Sequence, residues 1–206
     1  GYMWWWDVDY EAAGVRIANE IYIPVGRPVK LVMTSADVIH SFWPPNLSGK
    51  TDLIPGQITT HWLEASEPGT YRAQCAEFCG LQHARMALFV IALPEAQFQE
   101  WLNTKAAPIV QPVDSVLVQG QKAFDTEGCA ACHTIRGTPF AGVVGPDLTH
   151  IGSRLSLGAG VLPNTYGNLS GWVANPQALK PGNLMPPSYI AAENFHPLMS
   201  YLMSLK

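Results

Sequence analysis

Between Asp7 and about Leu93 the chain alternates apolar and polar residues in short runs. The stretches WWWDVDYEA, EIYIPVGRPVKLVMTS, GQITTHWLEA and GTYRAQC are rich in Val, Ile, Thr, Tyr and Trp, which suit a pleated, half-buried surface. VGRP, PGQ and EPGT separate them as turns. Many short strands at this spacing predict an antiparallel sandwich or barrel. PEAQFQEWLNTK then changes the period, placing Phe98, Trp101 and Leu102 on one face of a short helix that closes the first domain. AAPIVQPVD, with two prolines and little period, reads as a semi-stiff linker.

After Ser115 helical spacing returns. SVLVQGQKAFDTEG carries Val116, Gln119, Gly120, Ala123 and Phe124 on adjacent turns and stops at Gly128. ENFHPLMSYLMSLK, with Leu198, Tyr201, Leu202 and Leu205 on one side, is a second amphipathic helix. Long Gly- and Pro-rich loops with few periodic segments lie between them. The pattern thus divides the chain into an all-β domain over 1–105, a linker over 106–114 and an all-α domain over 115–206. A loop-rich domain held by two terminal helices needs something large in its middle.

Composition narrows the function classes. Only 14% of the 206 residues are charged and 48% are hydrophobic, against roughly 25% charged in an average globular protein. The net charge is -4. Residues 1–105 hold seven Lys/Arg against eleven Asp/Glu, and the remainder holds five of each. An acidic first half excludes nucleic acid as a partner. The longest apolar stretch, MALFVIAL, is far short of the roughly 20 residues of a membrane-spanning helix. The opening GYMWWWDVDY has neither a basic region nor a cleavage site, so the chain reads as one that begins inside a domain.

CAACH, Cys129 to His133, fills the middle of the second domain. Cys-x-x-Cys-His attaches haem c: two thiols add to the vinyl groups, and the adjacent imidazole becomes the proximal iron ligand. A zinc site would need further Cys or His nearby, and this half offers only His150 and His196. A redox dithiol belongs in a thioredoxin-like setting that is absent. Among six methionines, Met199 and Met203 fall at core spacing on the last helix. Met185, in the proline-braced PGNLMPP, is the predicted sixth ligand, since Met/His ligation raises the potential and leaves no open site. His150 is the rival ligand, with a hydrogen-bonding role near the haem edge as its plainer reading.

Over 115–206 these residues resemble class I cytochrome c. The resemblance implies terminal helices crossing over a glycine and an aromatic, here Gly120 and Phe124 against Tyr201. It also implies that the Pro146 carbonyl takes the second proton of the His133 imidazole.

A second cluster lies in CAEFCGLQHARM, residues 75–86. Thiolate and thioether are soft ligands and imidazole is intermediate, so Cys75, Cys79, His83 and Met86 suit copper better than magnesium or calcium. Two cysteines are too many for one blue-copper ion but can bridge two. The second ion needs its own imidazole, and His40 in ADVIHSFWPP supplies one, read as the end of a strand before a proline stop. The competing reading is a buried cysteine pair or a disulfide. His and Met four and seven residues after Cys79 weigh against it. His61, in an alternating run, reads as an ordinary strand histidine.

His40, Cys75-x-Glu77-x-Cys79-x-x-x-His83-x-x-Met86, the aromatic run WWWDVDY and GKTDLIPGQ closely resemble cytochrome c oxidase subunit II and its binuclear copper centre, CuA. The resemblance implies a cupredoxin-like Greek-key barrel over 1–105, followed by the all-α class I cytochrome c domain. In that family His40 and Met86 end on one copper, and His83 with the Glu77 backbone carbonyl on the other. The Glu77 carboxylate would turn toward a magnesium ion shared with subunit I, and Trp4 would be the electron entry point.

CuA followed by cytochrome c resembles subunit II of the caa-type oxidases. The implied role is an electron relay from a donor, such as another cytochrome or a respiratory complex, through haem c to CuA and on to subunit I for O2 reduction. The chain itself would hold no O2 site. Its place would be the outer face of the bacterial cytoplasmic membrane, among oxidase subunit I and other membrane subunits, with this chain a soluble piece lacking their two preceding transmembrane helices. Two alternatives stay open: the CuA subunit of a nitric oxide reductase, and a copper-binding chaperone with a fused cytochrome. A nitrous oxide reductase would need a histidine-rich second copper domain that six histidines cannot supply.

Overall fold

The computed structural model describes all 206 residues and divides into two compact units. The first comprises 1–106 with 158–161 and 180–184, and the second comprises 107–157, 162–179 and 185–206. Two short segments from the latter part of the chain therefore fold into the first unit.

In the first unit β1 (Asp7–Tyr10) pairs with β2 (Val15–Ala18), across a turn closed by Gly14 at φ 64°. EIYIPVGRPVKLVM, read as one stretch, forms two strands in different sheets, β3 (Glu20–Pro24) and β4 (Val29–Met33). The break falls at Gly26 (φ 69°) and Pro28, which cannot donate to a strand ladder. β5 (His40–Trp43), β6 (Thr51–Leu53), β7 (Thr59–Leu63), β8 (Gly69–Cys75) and β9 (Ala87–Leu93) follow. Five strands form one sheet in the order β3-β9-β8-β5-β6, while β4 pairs with β7 separately.

The apolar run MALFVIAL is accordingly an inner strand, β9, hydrogen-bonded on both edges. A strand buried on both faces reads as continuously apolar, and alternation cannot identify it. The β3–β9 pair is parallel, an exception to the all-antiparallel expectation. Ile23, Phe42, Leu88 and Val90 of the larger sheet pack with Met33 and Leu63 of β4 and β7 in one core. The two layers give the cupredoxin-like half-barrel. α1 (Glu95–Ala106) closes the unit, burying Phe98 and stacking Trp101 on Tyr22 with ring centroids 4.1 Å apart.

α2 (Ser115–Thr126) opens on Asp114, whose side chain accepts from the Val116 and Leu117 N–H groups. Gly128 follows it at φ 83°. Residues 107–114 form no helix or strand, and Ile109 packs against the second core. After the hairpin of β10 (Ser156–Leu157) and β11 (Leu162–Pro163) come α3 (Tyr166–Ala174) and α4 (Pro176–Leu179). The pattern did not reveal α3, because TYGNLSGWVANP carries two glycines and two asparagines that lower helix propensity. Thr165 caps it by accepting from the Asn168 N–H, and Leu169 and Val173 bury it.

α5 (Ala192–Ser204) crosses α2 at Gly120. A Cβ there would lie 2.1 Å from the Pro197 carbonyl oxygen and 2.6 Å from the Tyr201 Cβ. Phe124 meets Tyr201 edge-on at 6.5 Å. No helix of the chain is long and apolar enough to cross a membrane.

Candidate metal centre and haem site

The β8–β9 ladder pairs Gln74 with Ala87, so the loop between them starts at Cys75 and ends at Met86. The Cys75 N–H donates to the Met86 carbonyl at 2.9 Å and the Ala76 N–H to the Ser41 carbonyl at 2.9 Å. The loop is thereby tied to its own closing strand and to β5. His40 opens β5; it does not end a strand as the proline-stop reading had it. Asp37 and Val38 stand before it in a bent segment, and Pro44 and Pro45 end β5 three residues later than expected.

Both thiols are free and buried, with the sulfurs 3.7 Å apart. His40 Nδ1 lies 3.9 Å from Cys75 Sγ, and the Glu77 carbonyl oxygen lies 3.3 Å from the same sulfur. His83 Nδ1 is 3.6 Å and Met86 Sδ 3.8 Å from Cys79 Sγ. The ligand atoms of His40, Cys75 and Cys79 all fall within 4.8 Å of one another. The six residues singled out in sequence are thus gathered around one thiol pair. Hydrogen bonding from Cys79 holds Cys75 well below the ordinary thiol range, and the same contact, with burial, pushes Cys79 above it. The pair gives up its first proton readily, which suits thiolate ligation.

The candidate ligands around the thiols are oriented from behind. His40 is fully buried, and its Nε2 meets Asp37 Oδ1 at 2.7 Å, which leaves Nδ1 toward the sulfurs. Burial alone would raise Asp37, but hydrogen bonds from His40 and from the Met3 and Val38 N–H groups outweigh it and hold the carboxyl low. Gln74 Nε2 donates to the His83, Ala84 and Met86 carbonyls at 3.2, 3.5 and 3.3 Å. Trp4 Nε1 donates to the Cys79 carbonyl at 2.8 Å. The Glu77 carboxylate is half-exposed, with Lys50 at 3.7 Å. His61 is held between Ser48 and Thr51 hydroxyls at 2.7 and 2.8 Å, away from the thiols.

In the second unit Cys129 and Cys132 are free, and burial pushes the Cys129 thiol up to about 11. His133 Nδ1 donates to the Pro146 carbonyl at 2.8 Å, which leaves Nε2 free as an acceptor. Gly145 makes room for the ring: a Cβ there would stand 2.4 Å from His133 Cε1. Gly142 packs closely on the motif backbone: a Cβ there would stand 2.5 Å from the Cys132 carbonyl carbon. These features fit a covalent haem with a fixed proximal imidazole. Met185 sits in irregular chain between α4 and α5, and its carbonyl accepts from Gln177 Nε2 at 2.8 Å. Met199 is in the core, and His150 Nδ1 meets the Lys206 carbonyl at 3.1 Å.

Residues 7–93 match the family of the cytochrome c oxidase subunit II periplasmic domain, and residues 117–206 match the cytochrome c family. Each half of the chain thus matches its own family. It is 42% identical over 209 residues to cytochrome c oxidase subunit 2 of Alkalihalophilus pseudofirmus, covering 100% of this chain and 60% of that one. The subunit 2 of Bacillus sp. strain PS3 is 32% identical over 216 residues, covering 98% and 60%. That of Bacillus subtilis is 28% identical over 215 residues, covering 99% and 60%. The chain therefore spans about 60% of the length of these curated relatives.

In the subunit II half, sequence reasoning missed Asp37, Gln74 and Lys180. Asp37 stands three residues before His40 and could have been found as its carboxylate partner. Lys180 carried no signal, because it is more than ninety residues from every group it meets except Gly158. In the cytochrome half, Gly145 precedes the named Pro146 and was legible as the start of a Gly-Pro step.

Proposed function

We propose that this chain is the electron-carrying outer portion of an oxidase subunit II, taking single electrons from a donor at its cytochrome half and delivering them through its subunit II half to a partner subunit that reduces O2. The observation that carries this reading is the buried thiol pair 3.7 Å apart with two imidazoles, a thioether and a backbone carbonyl around it. Cys75, Cys79, His40, His83, Met86 and the Glu77 carbonyl would hold a copper pair, and Cys129, Cys132, His133 and Met185 would hold the haem. When bound, these groups supply reversible one-electron chemistry at centres whose coordination is filled by protein, so the chain has no O2-reducing site of its own.

The residues around the centres act by holding still. Electron transfer costs least when ligands barely move between oxidation states. Asp37 on His40, Gln74 on the turn bearing His83 and Met86, and Pro146 on His133 each hold a ligand in one orientation. Trp4, hydrogen-bonded to the Cys79 carbonyl, is the proposed electron entry to the subunit II half. The half-exposed Glu77 carboxylate would serve a magnesium ion completed by the partner subunit, at the outer face of the cytoplasmic membrane.

The test is flash photoreduction of the haem in the copper-loaded chain. Reoxidation of the haem at a rate independent of protein concentration, matched by bleaching of the copper absorption, is the expected result. A haem that stays reduced, or a rate that scales with concentration, refutes the relay.

A further inference from the structure

Lys180 is the most unusual side chain in the first unit. It is 2% exposed, and its hydrogen bonds run to three backbone carbonyls. Its Nζ donates to the Trp4 carbonyl at 2.8 Å, the Arg85 carbonyl at 2.8 Å and the Gly158 carbonyl at 2.7 Å. Three acceptors use all three N–H groups of an ammonium, whereas a neutral amine has only two. Burial pushes Lys180 down to about 7, a charge on Cys79 works the other way, and Arg85 adds to the lowering. The carbonyl cage resolves that opposition toward the ammonium, because only the charged form satisfies every acceptor.

Each contact falls beside a group of the copper centre. Trp4 also donates its indole N–H to the Cys79 carbonyl, and a Cβ on Gly80 would stand 3.1 Å from Trp4 Cζ2. Gly80 has φ 107°, so both its backbone conformation and the close ring favour a bare residue. Arg85 immediately precedes Met86. On the other side of Met86, the Ala87 N–H donates to the Ala159 carbonyl at 3.0 Å. Gln82 Nε2, one residue before His83, donates to the Pro181 carbonyl at 2.6 Å. Segments 158–161 and 180–184 thus grip the chain on both flanks of Met86, before His83, and at Trp4.

We propose that Lys180 is a positioning residue for the copper centre, fastening segments 158–161 and 180–184 onto the first unit and thereby fixing Trp4 and the Arg85–Met86 turn. The inference rests on the proposed copper site. Lys180 Nζ meets the Trp4 carbonyl directly, so loss of the amine acts first on the backbone that carries the Trp4 ring.

The experiment compares wild type with Lys180→Met, which keeps length and loses all three donors, in the haem- and copper-loaded chain. Hydrogen exchange and the copper reduction potential are read together. The expected result is exchange faster by about tenfold at Trp5, Trp6, Met86 and Ala87 as well as within 180–184, with a shifted copper potential and an unchanged haem spectrum. Faster exchange confined to 158–161 and 180–184, with those four amides and the potential unchanged, overturns the proposal and leaves Lys180 a packing residue. Should Lys180→Met not fold, Gln82→Leu removes only the bond to Pro181. The same pattern at smaller amplitude supports the proposal, and its absence overturns it. A wild-type chain that binds no copper pair defeats the proposed function instead, and exchange in the metal-free chain then decides whether Lys180 fixes Trp4 and Met86.

Discussion

Replacing Gly120 with alanine separates two opposed effects that can be sized. On an isolated helix the change is favourable by about 1 kcal/mol, because alanine loses less backbone entropy. In this fold the new methyl would stand 2.1 Å from the Pro197 carbonyl oxygen, 2.7 Å from its carbon and 2.6 Å from the Tyr201 Cβ. Two of those contacts are backbone, so no rotamer change relieves them, and α2 must move away from α5. Overpacking a core commonly costs about 1–3 kcal/mol, and a backbone-to-backbone clash belongs at or beyond the upper end. The net effect is a loss of about 2 kcal/mol, equivalent to roughly 10 °C of melting temperature in a domain of this size. Thermal melting followed in the haem absorption reads the second unit alone, and the copper absorption serves as the internal control. An unchanged or raised haem-half melting temperature would refute the helix crossing on which the cytochrome fold depends.

Gly145→Ala places a methyl 2.4 Å from His133 Cε1, so the imidazole must leave the Pro146 carbonyl; the haem should stay attached while its reduction potential and low-spin spectrum change, and an unaltered spectrum contradicts this. Met185→Leu removes the proposed axial thioether, so the haem should gain an open position that binds added imidazole or cyanide, whereas wild-type resistance to both in the variant would reassign the ligand. Asp37 is held below its ordinary carboxyl value of 3.8, so its contribution to stability is full above that pH and is lost as the pH falls through its folded-state value. Asp37→Asn should therefore destabilise the metal-free chain near neutrality, with the gap to wild type closing below about pH 3.8; a gap that persists in acid would contradict the assignment.

What could be read from sequence depended on how close the ligands stand along the chain. Cys75 to Met86 and Cys129 to His133 are local clusters, and their chemistry needs residue types at fixed short spacings, so both candidate sites were legible before any fold was known. The helices with amphipathic spacing, 95–106, 115–126 and 192–204, were legible for the same reason. β9 was not, because an inner strand apolar on both faces carries no alternation. Neither was α3, whose helical state comes from burial of Leu169 and Val173 and from its Thr165 cap, overriding weak propensity. The parallel β3–β9 pairing and the Lys180 cage join residues far apart in sequence, and pairings of that kind leave no local trace. His40 was found for its chemistry but assigned to the wrong end of its strand, since a proline stop marks where a strand ends and says little about where it starts.

The central claim is that Cys75 and Cys79 hold two copper ions as one unit beside a haem with both axial positions filled. Low-temperature electron paramagnetic resonance of the oxidised, fully loaded chain tests this most directly. The account predicts one unpaired electron shared equally over two copper nuclei, together with a low-spin haem signal. A single-copper signal, or a high-spin haem, would contradict it.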